Sequence, residues 1–443
     1  MKTSRLTEYL YQYQWALLLI ASPFLLFPSP HRSLFLLVFP LLFGIAWVVK
    51  REIFPLTPLN IPLLLIGGML AVSVWATYDI DASLTKITGL LLGFLVFYTV
   101  VLYSRQVRGW LASLGVFFLF GSGVALLGIL GTKWFSGKIS LFDHLLKYLP
   151  TRLSGISGAP EGFQPNQVGG TLLWVLPLGL ALCVFGLRYF LKKKSQRKEK
   201  LVAWMVLLMT AFMGFVFILT QSRGSYLGLG LSLVALSFFL VPRKWVWYLV
   251  PLIGVMALAG IWIVFSQGSR SDRASSSSDG VQDTTFSLES LQSREEIWSR
   301  ALLAIEDYPI TGMGMNNFRT VVRVLYPLYY IGDDFDIAHA HNEFLQAALD
   351  LGIPGLIAFL SLYIITFWMA IKTWLHLRSR DADLKLYILI GLAGGLLAHL
   401  IYSMTDAVAL GAKPGFIFWM LLGLITGLYL QEYPAGEVVE PIG

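Results

Sequence analysis

Leu201–Ser222 reads LVAWMVLLMTAFMGFVFILTQS, 22 residues without a single Asp, Glu, Lys or Arg. At about 1.5 Å per residue, a helix of that length crosses the roughly 30 Å hydrocarbon core of a bilayer. The run shows no alternation of period two, and an open sheet edge cannot face lipid, so a helix is the only spanning element that fits. Similar apolar runs lie on both sides of it: Tyr9–Pro30, Ser33–Val49, Leu59–Tyr78, Ile87–Ser104, Gly109–Thr132, Val168–Leu187, Gly224–Pro242, Trp245–Ser269, Phe344–Ile371 (charge-free apart from Asp350), Leu386–Thr405 and Pro414–Gln431. The expectation is an all-α polytopic membrane protein of about 12 transmembrane helices.

Composition agrees. Of 443 residues, 56% are hydrophobic and 13% charged, where a soluble domain carries about 25% charge. Thirty Phe and 14 Trp are more apolar surface than one soluble core of this size hides. The net charge of +7 comes from short basic clusters between apolar runs, not from the continuous stripe that nucleic acid requires, so no nucleic-acid partner is expected. A lone cysteine, Cys183, excludes an internal disulfide and a cysteine zinc site. Met1–Glu8 is basic, but Pro28, Ser29 and Pro30 follow the first apolar run where a cleavage pattern would stand, so that run reads as the first span.

Lys and Arg in the short connections set the orientation. Alternate connections carry the pairs Lys50 and Arg51, Arg105 and Arg108, and Arg243 and Lys244, together with six basic residues in Lys192–Lys200 and four in Lys372–Lys385. The intervening short connections carry one each: Arg32, Lys86, Arg223 or Lys413. Both termini are therefore expected to be cytoplasmic. The chain divides into five spans in 1–131, an outer loop 132–167, four spans in 168–265, a larger outer loop 266–341, three spans in 342–431 and an inner tail 432–443. Within the larger loop, Gln267–Thr285 is serine-rich and charged, a composition that builds no core. In Leu288–Tyr308, by contrast, Leu291, Trp298, Leu302 and Ile305 recur at helical spacing, as in an amphipathic helix on a membrane surface, and Ser293 with Glu296 could form its capping box.

Two tracts on the outer side carry chemistry. Thr220–Gln221–Ser222–Arg223–Gly224 joins two spans with almost no loop; Gly224 suits so tight a turn, and the helix that follows points free amides outward beside a guanidinium. The plain alternative is an arginine snorkelling at a helix end. Ala338–His339–Ala340–His341–Asn342–Glu343 opens the tenth span, where the positive helix end favours a neutral imidazole available as a base, with His341 better placed than His339. The two histidines, with Asp333, Asp334 and Asp336 nearby, could alternatively hold a metal, or simply bond to backbone. Arg294, Arg319 and Arg323 add cations on the same side, while Arg300 reads as solvated. Gly312 and Gly314 suggest a close turn after the amphipathic helix, or plain loop punctuation. His399 and Asp406 lie two helical turns apart near the end of the eleventh span and could share a face, in a functional or a packing role. Cations and a base on one outer face, surrounded by lipid, suit a diphosphate whose polyprenyl tail stays in the bilayer.

Three tracts, TQSRGSYLG (220–228), SREEIWSRALLAIEDYPITGMGMNNF (293–318) and HAHNEFLQAALDLGIPGL (339–356), resemble in order and side the signatures of the O-antigen ligase and polymerase family, and PNQVGG (165–170) resembles a further loop motif. The resemblance implies a glycosyltransferase of GT-C type that uses neither metal nor other cofactor. It implies an undecaprenyl-diphosphate-linked glycan donor, a lipid or glycan acceptor, inversion at the anomeric carbon, and a site on the periplasmic side of a bacterial inner membrane. Carried onto this chain, it makes His341 the base and gives Arg223 and Arg294 the diphosphate. Arg319, Arg323, His339, Ser222, Gly224, Asn342 and Asn166 are the expected substrate contacts. Ligase and polymerase are both compatible with these tracts. VLYPLYY (324–330) also resembles a branch of inorganic-carbon transport proteins, which leaves a small-anion transporter as the reading of another class.

Overall fold

The computed structural model describes residues 14–29, 32–50, 54–134, 162–192, 196–240, 291–332, 336–379 and 383–434, with a few isolated positions between them. Its helices are α1 (Gln14–Leu26), α2 (Val38–Lys50), α3 (Asn60–Ala76), α4 (Ile80–Tyr103), α5 (Val107–Gly131), α6 (Pro165–Leu172), α7 (Leu176–Lys192), α8 (Arg197–Leu219), α9 (Arg223–Leu240), α10 (Leu291–Asp307), α11 (Phe318–Leu325), α12 (Glu343–Arg378), α13 (Asp383–Tyr402) and α14 (Phe416–Glu432). Among the described residues, seven helices are long and apolar enough to cross a membrane, and the bent pair α6–α7 would make eight; α1, α2 and α3 are apolar but shorter. The expected ninth span, Trp245–Ser269, and Gln267–Thr285 lie almost wholly outside the described residues, as do Asp333 and Asp334.

Among the helices long enough to span a membrane, the most buried is α14, hydrophobic around its whole circumference, as a central membrane helix has to be. It packs against α4, α5 and α12, while α13 packs against α7, α9 and α12. Small residues allow the close approach that lipid-embedded helices need in the absence of a hydrophobic drive. A side chain at Gly228 of α9 would come within 2.5 Å of the Ala398 carbonyl of α13.

Two spans that look continuous in sequence are broken by proline. Val168–Leu187 bends by 43° between α6 and α7, where Pro177 has no N–H for the Leu173 carbonyl one turn back. Helix α12 breaks at Gly352, whose φ of 69° is left-handed, two residues before Pro354. The groups this break frees are satisfied from outside the helix: the Leu349 carbonyl accepts from Met313 N at 2.7 Å, and Ile353 N donates to the Pro309 carbonyl at 2.8 Å. The turn after α10 is thus wedged into the kink. Gly312 (φ 64°) makes the wedge possible, since a side chain there would lie 2.6 Å from the Leu349 carbonyl. The same turn is held to α3 and α4, with Met315 N donating to Ser73 Oγ, Asn317 Nδ2 to Thr77 Oγ1 and Asn316 Nδ2 to the Ala82 carbonyl.

Helix α10 begins at Leu291, ahead of the expected capping box, and Glu296 does a different job. Its buried carboxylate accepts from the backbone amides of Tyr329 and Tyr330, pinning the segment after α11 against α10. Arg300 is likewise not merely solvated: its Nε donates to the Pro327 carbonyl at 2.8 Å and its guanidinium lies over the Tyr329 ring.

Candidate functional site

Among the described residues, three that are not glycine have left-handed φ: Gln221 (50°), Asn316 (64°) and His341 (48°). Each stands just ahead of a helix (α9, α11 and α12), inside one of the three tracts singled out by sequence. Such residues cost of order 1–3 kcal/mol each and persist only where the surroundings overdetermine them, a situation that clusters at functional sites. The turn into α9 therefore takes its left-handed step at Gln221 and not, as expected, at Gly224. Gly224 serves close packing, because a side chain there would lie 2.2 Å from Thr405 Oγ1.

The histidine loop is fixed from several directions. Asn342 caps α12, its Oδ1 accepting from Phe344 N and Leu345 N, so the carboxamide expected to meet substrate is already engaged. Trp298 of α10 donates its indole N–H to the Ala340 carbonyl at 3.0 Å. Glu343, buried at the start of α12, accepts from the amides of Val408, Ala409 and Leu410 and donates its own N–H to the Ser403 carbonyl. The segment 403–410 after α13 is thereby clamped beneath the histidines.

That clamp delivers Asp406. Helix α13 ends at Tyr402, so Asp406 does not share a helical face with His399. His399 is buried with Tyr363, whose hydroxyl lies 2.9 Å from its Nδ1. Asp406 Oδ1 lies 3.3 Å from His339 Nε2 and 3.6 Å from His341 Nδ1. Asp406 Oδ2 lies 2.8 Å from the Tyr402 hydroxyl, which is also 2.7 Å from the Asn166 carbonyl, its single proton shared between two acceptors. Burial alone would push the Asp406 carboxyl up, but His341, His339 and Tyr402 together hold it well below its ordinary 3.8, as a carboxylate.

The two histidines differ in kind. His341 N–H donates to His339 Nδ1 at 3.1 Å, so that nitrogen carries the lone pair and the proton of His339 sits on Nε2, facing Asp406. Burial first, then the neighbouring His341, pull His339 down from 6.5 to about 3, against the opposing pull of Asp406. His339 is a fixed neutral donor. Both ring nitrogens of His341 are buried without a hydrogen-bond partner among the described residues, its Nδ1 just beyond bonding distance of the carboxylate and its Nε2 left for another group.

His339, His341 and Asp406 are also a possible metal-ligand group, their ligand atoms lying within 4.8 Å of one another. The donor set fits a cation poorly, because the nitrogen that His339 turns toward Asp406 already carries a proton. Asp336, grouped by sequence with the histidines, instead pairs with Arg319 at the exposed surface.

Around this cluster stand the other expected residues. Arg294 lies one helical turn before Trp298, close enough to lower the proton affinity of His339, and its Nε is buried without a partner among the described residues. Arg223 starts α9 beside Gly224, which packs on Thr405, the neighbour of Asp406. Asn166 opens α6 at the Tyr402 hydroxyl, and Ser222 is buried, its Oγ accepting from Ser225. Arg319 and Arg323 are engaged away from the cluster, with Asp336 and with the Gly332 carbonyl. The sequence pattern gave Trp298 only a place on the apolar face of an amphipathic helix, and Tyr402 and Glu343 no role; Glu343 had a signal, a carboxylate on a span that does not face solvent.

Residues 208–360 match a family model described as O-antigen ligase. The match covers about a third of the chain and includes Arg223, Arg294, His339 and His341; Asn166, Tyr402 and Asp406 lie outside it. No curated protein matches the chain.

Proposed function

We propose, on the match of residues 208–360 to the O-antigen ligase family model and the several membrane-spanning helices, that the chain is a membrane protein of that family and transfers a glycan from undecaprenyl diphosphate to an acceptor hydroxyl on the periplasmic side of the inner membrane. His341 takes the acceptor proton at Nε2, and the Asp406 carboxylate 3.6 Å from its Nδ1 stabilises the imidazolium that forms. The acceptor oxygen attacks the anomeric carbon from the side opposite the diphosphate, the bond to the phosphate oxygen breaks with its electron pair, and the configuration inverts. Arg223 and Arg294 neutralise the departing diphosphate. No metal takes part.

The observation that carries this reading is the meeting of α9, α10, the start of α12 and the turn after α13 at one end of the bundle, where the His341 imidazole and the Arg294 Nε make no hydrogen bond among the described residues. A polymerase would use the same site with a growing glycan as acceptor, and lipid-linked intermediates of different length distinguish the two. The family match lends no support to small-anion transport, and that reading is dropped.

The test is transfer by the purified protein in lipid nanodiscs supplied with polyprenyl-diphosphate-linked glycan. His341→Ala and Asp406→Asn are each expected to lower kcat by about 10²–10⁴-fold. Arg294→Ala raises the donor KM as well, and EDTA leaves the rate unchanged. Full activity in His341→Ala overturns the assignment of the base, and loss with EDTA reversed by a divalent ion overturns the metal-free mechanism.

A further inference from the structure

The histidine loop has a second support that runs through the buried first turns of α12. Ala340 N donates to Gln346 Oε1 at 2.8 Å, and Gln346 Nε2 donates to Asp350 Oδ1 at 2.8 Å, one turn further along α12. Asp350, 1% exposed at its side chain, is paired through Oδ2 with Lys86 Nζ of α4 at 3.0 Å. Its Oδ1 also accepts from Asn316 N at 2.9 Å, in the turn wedged into the α12 kink. A buried carboxylate needs this complete set of partners, and here they fix the direction of the Gln346 carboxamide, nitrogen toward Asp350 and oxygen toward the loop. With Trp298 on its carbonyl and Gln346 on its amide, Ala340 is held at both ends of its backbone, directly between the two histidines.

We propose that Gln346 and Asp350, with Lys86 neutralising the carboxylate, are positioning residues that set the place of His341 relative to Asp406 and the donor. The proposal rests on the glycan-transfer reading for its kinetic consequence but not for its structural one. The His341 backbone is left-handed and does not hold itself, and its Nε2 has no hydrogen-bond partner among the described residues, so the approach of that nitrogen is decided by what holds the loop. Lys86 is the one basic residue of its short connection, and Asp350 the one acidic residue inside an otherwise charge-free run; the pair explains both.

The experiment compares Gln346→Leu, Gln346→Glu and the double variant Gln346→Glu with Asp350→Asn in full-length protein. The leucine substitution lets go of Ala340. The glutamate substitution sets two carboxylates face to face. The double variant keeps the charge and reverses the middle hydrogen bond, so Ala340 regains its acceptor, although the Asp350→Asn amide nitrogen no longer accepts from Asn316 N. Expected is a kcat about ten to a hundred times lower for both single variants, with the donor KM within about twofold, because the diphosphate-binding arginines are untouched. The double variant recovers part of the kcat lost in Gln346→Glu, because the Ala340 contact returns while the Asn316 and Lys86 contacts of Asp350 do not. Hydrogen–deuterium exchange at residues 338–342 is expected to rise in the single variants and return in the double one. Unchanged kcat and unchanged exchange in Gln346→Leu overturn the proposal, as does a folded double variant no better than Gln346→Glu; that comparison decides even if the leucine variant fails to fold. If wild-type protein transfers no glycan, the functional reading fails, while the exchange measurement still judges the positioning role.

Discussion

His339 and His341 are two residues apart and chemically opposite. The first is fixed as a neutral donor by the backbone N–H of the second, and its burial leaves it almost unable to take a proton above pH 3. Stability follows from this. Between 6.5 and about 3 the unfolded chain binds a proton at His339 that the folded chain refuses, so stability is complete above 6.5 and falls as the pH drops through that window. The largest slope this allows is about 1.4 kcal/mol per pH unit. Asp406, held below its ordinary 3.8, acts in the same direction but only beneath that value. The melting temperature of the purified protein is therefore expected to fall between pH 7 and pH 4, and His339→Gln, which has no proton to gain, is expected to flatten that fall. An unchanged slope in the glutamine variant would sink the account of His339 as a buried neutral group.

At the scale of elements, the instructive places are where helices end or break. Removing the left-handed permission at Gly312 tests the wedge between the α10–α11 turn and the α12 kink: Gly312→Ala adds a side chain against the Leu349 carbonyl at a φ of 64° and is expected to cost about 1–3 kcal/mol. Gly115→Ala, in a helix with nothing within 4 Å of the new atom, is the control and should be neutral or slightly stabilising. Thermal melts of the two variants decide it; equal melting would mean that the wedge bears no strain. The apolar runs were legible because lipid demands them, and the three tracts were legible because arginines and histidines stand out against such a background. The breaks at Pro177 and Pro354 also had their signal, the missing N–H, but hydropathy averages over it. What could not be read was pairing at a distance. Nothing local says that Glu296 turns inward to Tyr329 and Tyr330, that Asn342 is consumed as a cap, or that α13 stops at Tyr402 and so hands Asp406 to the histidines. Those outcomes depend on partners supplied by other helices.

At the scale of the whole molecule, charge and site lie at opposite ends of the bundle. The histidine loop, Arg223, Arg294 and Asp406 gather where α9 and α12 begin and α13 ends. Among the described residues, Arg197, Lys198, Lys200, Lys372, Arg378 and Lys385 lie at the far end, where α8 and α13 begin and α12 finishes. Lys and Arg in short connections are retained on the cytoplasmic side, so this separation supports the proposed outward-facing site. Labelling checks the argument without reference to activity. In a Cys183→Ala background, Asp336→Cys places a thiol on a surface whose native side chain is 57% exposed, at the cost of one solvent-exposed ion pair worth little, and Arg197→Cys places another at the start of α8. A membrane-impermeant maleimide applied to intact spheroplasts is expected to label position 336 and to reach position 197 only after lysis. The reverse pattern would put the imidazole and the arginines in the cytoplasm, where the basic clusters would have to face outward against their electrostatic preference, and periplasmic glycan transfer would fail with it.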